Sequence, residues 1–249
     1  MSTHTYFIYD IETAAIPYEN FSESQREYLI RGAKNDEEIS KKKGEMALYP
    51  LTAQVATIGL KIIEVTEDGM ETILKSGALM NNPNIAEDKI ILEKETDDAG
   101  IETSFCQSNE SDVLKGFWNL LAHYKNATLI TFNGRNFDAP FLMLRSAVLE
   151  IVPTRNLMEG TKFNYPLHID LLDELTFYTQ SNYGATRRFN FDFYTQAFGL
   201  PSPKSKEVNG SIVSEFFAEE KYSEIARYCL RDVQATWDLY KRIRNYLFI

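Results

Sequence analysis

The pattern of apolar and polar positions predicts a chain that begins with a β-strand. Residues 5–9, TYFIY, are aromatic and β-branched, a composition typical of buried strands. Further runs of this kind predict strands at 54–65, 71–80, 89–92 and 103–107. A short polar turn separates the first two of these runs, which indicates a hairpin and therefore an antiparallel flank of a sheet.

The second half of the chain alternates between helical and strand patterns. Apolar residues spaced three and four apart predict a helix capped by Ser111. Strands are predicted at 127–132 and 168–172, and helices at 140–149, 173–177, 190–198, 211–219 and 222–247. This alternation predicts an α/β fold with a mixed central β-sheet flanked by helices.

Residues 18–49 depart from the alternation, because they are rich in charged and helix-forming residues and end near Pro50. We interpret them as a helical insertion. Because no repeat, low-complexity tract or linker divides the sequence, we expect a single domain over residues 1–249.

Composition narrows the class of protein. With 44% hydrophobic and 13% aromatic residues, 249 residues suffice for a core, which excludes a disordered or fibrous chain. Two cysteines and three scattered histidines provide neither a disulfide scaffold nor a zinc cluster. No apolar run reaches the roughly 18 residues that a bilayer requires, and the N-terminal sequence lacks a signal-peptide pattern. We therefore expect a cytoplasmic protein without a membrane partner.

The charge balance argues against one class of partner. Twenty-six Lys and Arg residues against 36 Asp and Glu residues give a formal net charge of −10. A protein of this charge is not expected to bind nucleic acid through a general positive field.

Asp10 and Glu12 lie two residues apart at the predicted end of the first strand. Alternation along a strand directs both side chains to one face, where their repulsion is relieved if they bind a cation such as Mg²⁺. Taken alone, the pair is better explained as two solvated acids at a strand end.

Asp138 and Asp232 are the other candidate acids. Asp138 follows a strand and a polar Asn-Gly-Arg-Asn turn, where it is equally well explained as the N-cap of the next helix. Tyr228 and Asp232 share one face of the last helix. In isolation, Asp232 is better explained as a boundary residue paired with Arg227 or Arg231.

The order of these motifs along the chain changes the interpretation. YDIET, FNGRNFDAPFL and YCLRDV together resemble the three motifs of the DEDD exonucleases, in the tyrosine-containing DEDDy group of the DnaQ-like (RNase H-like) superfamily. The chain is similar to predicted 3′-5′ exonucleases related to the proofreading domain of family B DNA polymerases. HIDLLDEL and PSPKSKEVNGSIV also resemble that subgroup, so the resemblance extends over about residues 5–245.

The resemblance implies an RNase H-like fold and a two-metal mechanism that releases nucleoside 5′-monophosphates from nucleic-acid 3′ ends. Single-stranded DNA is the favoured substrate and RNA the alternative, with two Mg²⁺ or Mn²⁺ ions as cofactors. The metal ligands would be Asp10, Glu12, Asp138 and Asp232. Tyr228 would orient the attacking water.

Substrate contacts are assigned to residues near these motifs. Asn133 and Phe137 would meet the terminal nucleotide, although burial in the core explains Phe137 equally well. Candidate phosphate contacts are Arg187, Arg188, Lys204 and Lys206, for which a solvated loop is the alternative. We expect His168 and Asp170 to be structural.

Two other classes of function stay open. One is a nucleic-acid-binding module with a decayed exonuclease site, and the other is a metal-dependent nucleotide phosphatase. Because no polymerase domain follows the motifs, we expect any replication or repair partner, including a polymerase whose errors are proofread, to act in trans.

Overall fold

The computed structural model describes residues 2–179, 183–202 and 212–247. The strands are β1 Thr3–Ala15, β2 Ala53–Thr66, β3 Glu71–Asn81, β4 Ile91–Thr96, β5 Glu102–Ser108, β6 Thr128–Thr131 and β7 His168–Asp170. The helices are α1 Glu23–Leu29, α2 Asp36–Glu45, α3 Glu110–His123, α4 Asp138–Val148, α5 Leu171–Leu175, α6 Phe191–Ala197, α7 Val213–Ala218 and α8 Tyr222–Leu247.

The seven strands form one mixed sheet in the order β4-β5-β3-β2-β1-β6-β7. The predicted hairpin is present, since β2 pairs antiparallel with both β1 and β3. On the other side of β1, strands β6 and β7 run parallel to it. The carboxyl ends of these three parallel strands therefore lie at one edge of the sheet, where the candidate residues are found.

The two faces of β1 bury different groups. Phe7, Tyr9 and Ile11 pack into the apolar core formed with α3 and α4. Ile8 points to the opposite face and packs with α8 residues that include Val233. Because side chains alternate along a strand, Asp10 and Glu12, the next even-numbered residues of β1, also face α8. None of the helices that the structure describes is long and apolar enough to cross a bilayer.

The strand predicted at 168–172 ends at Asp170, because helix α5 begins at Leu171. Three further sequence predictions need correction at the ends of elements. Strand β1 does not end near Asp10, because a bulge after Glu12 lets it continue to Ala15, which pairs with Ala53. The cap of α3 is Asn109, whose side chain accepts a hydrogen bond from the Asp112 backbone 3.0 Å away, and Ser111 lies inside the first turn.

The last correction concerns β4. It occupies Ile91–Thr96 rather than residues 89–92, because it pairs antiparallel with β5 along its whole length. Every side chain of β4 is exposed, so its sequence carries little of the hydrophobic pattern that identifies a buried strand.

The helices between β1 and β2 attach to the sheet through the residues that follow α2. No residue of α1 or α2 is buried. Met46 and Ala47, which follow α2, are buried, and the Thr13 hydroxyl donates a 2.6 Å hydrogen bond to the Ala47 carbonyl. This contact holds the segment beside the end of β1.

Helix α4 is fixed by a buried ion pair. The Arg145 guanidinium donates hydrogen bonds of 2.9 and 2.6 Å to the two carboxylate oxygens of Glu110 on α3. Glu110 also accepts a 2.8 Å hydrogen bond from the Val55 backbone on β2. The pair therefore links α3 and α4 to the sheet.

We expect Arg145→Met to destabilise the protein by roughly 3 kcal/mol, because it leaves the Glu110 charge buried and unpaired. The side chains of the pair are only 7% and 12% exposed. Urea unfolding would measure the change. Lys94→Met is the matched control, since Lys94 pairs with Glu102 where both side chains are about half exposed, and it should cost less than about 1 kcal/mol. Equal losses in the two variants would contradict a structural role for the buried pair.

Candidate active site

Asp10 and Glu12 lie on the face of β1 that is turned toward α8. One carboxylate oxygen from each lies within 4.8 Å of the other and of the Cys229 sulfur. Glu12 is 9% exposed and Asp10 is half-buried. The same-face prediction is thereby confirmed in geometry, even though the strand continues beyond both residues.

Asp138 joins this group from α4. It is the first residue of the helix rather than its N-cap, and Phe137 at the cap position makes no side-chain capping bond. The Asp138 carboxylate instead accepts a 3.0 Å hydrogen bond from the backbone of Ile11, the residue between Asp10 and Glu12. The tertiary bond to β1 therefore replaces the local capping that the sequence suggested.

Tyr228 and Asp232 approach from α8. The charge of Asp232 raises the pKa of Asp10, of Glu12 and of the Tyr228 phenol. Arg227 is directed away, and its guanidinium forms a 2.8 Å bond to Glu95 on β4. The suggested Arg227–Asp232 pair is thus replaced by an Arg227–Glu95 pair.

The electrostatics of the group favour a bound cation. Burial is the main reason why the pKa values of Asp10 and Glu12 are well above their ordinary range, and the neighbouring carboxylates raise both further. Burial likewise raises the pKa of Asp138 to about 7, although its backbone hydrogen bonds oppose the shift.

No ion pair in the described ranges joins Asp10, Glu12 or Asp138 to Lys or Arg. Three carboxylates that pair with none of the described Lys or Arg side chains fit hard divalent ions such as Mg²⁺ or Mn²⁺.

Asp170 determines the turn that precedes α4. Its carboxylate accepts 2.8 Å hydrogen bonds from the backbones of Asn133 and Arg135 and a 3.0 Å bond from that of Leu172. Asn133 has a φ of 64°, and a side chain at Gly134 would collide with Thr131. Asp170 therefore positions the turn, in agreement with a structural role.

His168 is also part of the framework. Its Nε2 lies 3.0 Å from the Thr131 hydroxyl at the end of β6. Burial is the main reason why the pKa of His168 falls to about 3, and the charges of Arg135 and Arg155 lower it further. The ring is therefore neutral, as expected for a residue that joins β6 to β7.

The two residues predicted to meet the terminal nucleotide lie in the turn before Asp138. Phe137 is half-buried, with its ring centre 5.6 Å from that of Phe141 and its side chain against the core under α4. Asn133 is also half-buried. The Phe137 side chain is thus partly packed against the core and partly exposed. Its contact with the terminal nucleotide stays a prediction.

The four candidate phosphate contacts are not equivalent. Arg188 forms a 2.7 Å ion pair with Asp173, which occupies part of its guanidinium. The Arg187 guanidinium lies 5.1 Å from the centre of the Phe189 ring. Lys204 and Lys206 lie outside the described residues. Arg187 is therefore the described member whose surroundings best suit a nucleic-acid contact, which stays a prediction.

Cys229 is a member of the group that the sequence analysis did not identify. Its sulfur is buried, 3.3 Å from the Asp10 carbonyl and 3.6 Å from Asp10 Oδ2. The Gly59 backbone donates a 3.2 Å hydrogen bond to the same sulfur. The available signal was its position beside Tyr228 in the third motif, one residue away from a predicted site residue.

Residues 91–247 match a family described as a predicted 3′-5′ exonuclease related to the exonuclease domain of PolB. The chain belongs to this family. The matched range contains Asp138, Tyr228 and Asp232, whereas Asp10 and Glu12 precede it. The resemblance drawn from the three motifs is therefore confirmed at the level of the family.

Two polymerases are similar to the chain over a small part of their own length. A DNA polymerase from Thermococcus aggregans is 26% identical over 156 residues, which cover 54% of this chain and 8% of the polymerase. The family B DNA polymerase of Pyrobaculum calidifontis superposes with a TM-score of 0.52 at 16% identity, covering 96% of this chain and 24% of that chain. The structural match supports the predicted fold, an α/β mixed sheet with flanking helices.

We expect Asp138→Asn to stabilise the protein in EDTA at pH 8 by about 1 kcal/mol, because it removes one like charge from the group. The amide oxygen can still accept the bond from Ile11. The folded pKa of Asp138, about 7, exceeds the unfolded value. The wild type therefore gains stability as pH falls from 8 to 6, and the advantage of the variant shrinks.

Urea unfolding at both pH values would measure this difference. Asp68→Asn serves as the control, because Asp68 lies in the β2–β3 turn and its pKa is lowered by a hydrogen bond from Thr66. It should give no gain at pH 8. An Asp138→Asn effect that is the same at pH 8 and pH 6 would show that repulsion within the group is not its cause.

Proposed function

We propose that the protein is a metal-dependent 3′-5′ exonuclease that hydrolyses the terminal phosphodiester of single-stranded DNA and releases nucleoside 5′-monophosphates. The observation that carries the proposal is the convergence of carboxylates from β1, α4 and α8 at one buried place. Membership of the exonuclease family supports the same reaction.

Asp10, Glu12, Asp138 and Asp232 would hold two divalent cations, Mg²⁺ or Mn²⁺. When bound, such ions supply an activated water, neutralise charge on the nonbridging oxygens and stabilise the leaving 3′ oxygen. The raised pKa values of Asp10 and Glu12 agree with this assignment, since carboxylates held together without a cation retain protons.

Tyr228 would orient the attacking water. Burial and the charges of Asp232, Glu12 and Asp10 raise the pKa of its phenol well above the ordinary value, so the hydroxyl is neutral and can donate a hydrogen bond. It is a poor general base for the same reason. The Arg231 guanidinium lies 5.6 Å from the centre of the Tyr228 ring, within the range of a cation–π contact.

The negative net charge is compatible with this substrate if metal ions neutralise the four carboxylates. The DNA strand would then contact Lys or Arg side chains elsewhere on the surface. Arg187, beside the ring of Phe189, is the described candidate for such a contact. Asn133 and Phe137 would hold the terminal nucleotide. We also propose a role in proofreading or repair, which the relation to polymerase exonuclease domains supports.

Digestion of labelled oligonucleotides tests the proposal. Single-stranded DNA, duplex DNA and RNA labelled at the 5′ end should each be incubated with Mg²⁺ or Mn²⁺. A ladder of shortened products, fastest for single-stranded DNA and absent in EDTA, is expected. Hydrolysis of free nucleoside triphosphates with intact oligonucleotides would instead indicate a phosphatase, and metal-independent binding without hydrolysis would indicate a decayed site.

We expect Asp10→Asn, Asp138→Asn and Asp232→Asn each to lower the rate by about a thousandfold or more, because each removes a charged metal ligand. The rate of ladder formation at saturating Mg²⁺ measures the loss. Asp238→Asn is the matched control on α8, since Asp238 pairs with Lys241 and accepts a hydrogen bond from Gln234. It should retain wild-type activity. A rate above a tenth of wild type in any of the three variants would remove that residue from the ligand set.

Tyr228→Phe should lower the rate by roughly a hundredfold, less than loss of a ligand, because the phenol positions water without holding an ion. Single-turnover hydrolysis would measure the step itself. Tyr240→Phe is the control on the same helix, where the lost hydroxyl contacts Tyr6 at 3.1 Å. A loss for Tyr228→Phe as large as that for Asp10→Asn would assign the phenol an obligatory proton transfer instead.

A further inference from the structure

The sulfur of Cys229 has a defined place beside the carboxylates. Gly59 lies opposite Asp10 in the β1–β2 ladder, and its backbone N–H points at the sulfur from 3.2 Å. A side-chain carbon at Gly59 would lie 2.8 Å from that sulfur, so only glycine admits α8 this closely. The thiol is therefore held beside Asp10 by the Gly59 N–H and by the Asp10 carbonyl, which lies 3.3 Å from the sulfur.

Glu12 provides an independent observation. Its side chain is only 9% exposed, yet none of the described residues donates a hydrogen bond to its carboxylate. A buried carboxylate without a donor is costly unless a ligand satisfies it. One of its oxygens lies within 4.8 Å of both Cys229 Sγ and an Asp10 oxygen, so the three groups face a common point.

The spacing of these atoms suits a thiophilic ion. Zinc lies about 2.3 Å from thiolate sulfur and about 2.1 Å from carboxylate oxygen, so tetrahedral geometry places the two ligand atoms about 3.6 Å apart. The distance from Cys229 Sγ to Asp10 Oδ2 is 3.6 Å. Rotation about the Glu12 side-chain bonds can bring its oxygen to a third position.

We propose that Cys229, Asp10 and Glu12 form a mixed thiolate–carboxylate site for a thiophilic divalent cation such as Zn²⁺. As the metal–sulfur bond forms, the thiol proton leaves to solvent. The Gly59 N–H then continues to donate to the sulfur, as outer-shell donors do for metal-bound ligands. This site is distinct from a cysteine–histidine cluster, which the sequence excludes.

A consequence is competition between metals. A thiophilic ion at this site occupies Asp10 and Glu12, which the proposed exonuclease needs for Mg²⁺, and a thiolate ligand favours Zn²⁺ over Mg²⁺. Zn²⁺ therefore holds the carboxylates in a form that excludes the catalytic ions. Only this competition rests on the proposed function, because the binding site itself does not require hydrolysis.

Titration of the metal-free protein with Co²⁺, without nucleic acid or Mg²⁺, tests the site. A thiolate bound to Co²⁺ gives a charge-transfer absorption in the near ultraviolet, and Zn²⁺ should abolish it by displacement. Cys106→Ala is the matched control, because Cys106 lies on β5, away from the carboxylates. We expect the band in wild type and Cys106→Ala, and its loss in Cys229→Ala and Cys229→Ser.

Absence of the band in wild type, or its survival in a folded Cys229 variant, would overturn the proposal. If both Cys229 variants fail to fold, the Asp10→Asn variant tests the site instead. It should weaken Co²⁺ binding by at least about tenfold, because it removes a charged ligand. An unchanged Co²⁺ affinity in Asp10→Asn would also overturn it.

The same titration separates this site from the proposed function. Failure of the exonuclease appears as an absent product ladder in Mg²⁺ and leaves the absorption band unaffected. Failure of the thiolate site appears as an absent band with the ladder intact.

Discussion

Repulsion among carboxylates is the constraint around which this structure is organised. Asp10 and Glu12 come from a central strand, Asp138 from the start of α4 and Asp232 from α8, so no single element brings them together. Asp138 and Asp232 raise the pKa values of Asp10 and Glu12, and Asp232 also raises that of Asp138, which means that the folded chain holds these carboxylates closer than their charges favour. Packing elsewhere must supply the free energy that keeps these elements in place.

That packing is arranged on the two faces of β1. The odd-numbered apolar side chains anchor the strand in the core under α3 and α4, while the even-numbered positions pass from Ile8 to the two carboxylates. Helix α8 covers the second face, and Gly59 allows it to approach closely enough for its third-motif residues to reach β1. The Arg145–Glu110 pair and the Ile11–Asp138 hydrogen bond fix α4 against the same strand.

Local patterns predicted the parts of this arrangement that depend on local geometry. Period-two alternation correctly placed Asp10 and Glu12 on one face, and apolar spacing gave the bounds of α8 as the structure has them. The order of three motifs predicted the family.

The errors arose where distant contacts override local preference. Asp138 bonds to a residue 127 positions away rather than to its own helix, and the exposed strand β4 is defined by its partner β5. The only sequence signal for Cys229 was its place beside Tyr228, because its contact with Asp10 spans 219 positions and depends on a glycine on a third element.

The family match begins after Asp10 and Glu12, so the association of these residues with the site rests on the fold. Strand β1 is paired on both sides, antiparallel to β2 and parallel to β6, and its register with β2 places Asp10 opposite Gly59. A shift by one residue would turn both carboxylates into the apolar core and bring Ile11 to face α8. Such a shift would bury charge without partners and remove three side chains of β1 from the core under α3 and α4. The same apolar burial that stabilises the sheet therefore also fixes which atoms of β1 face α8.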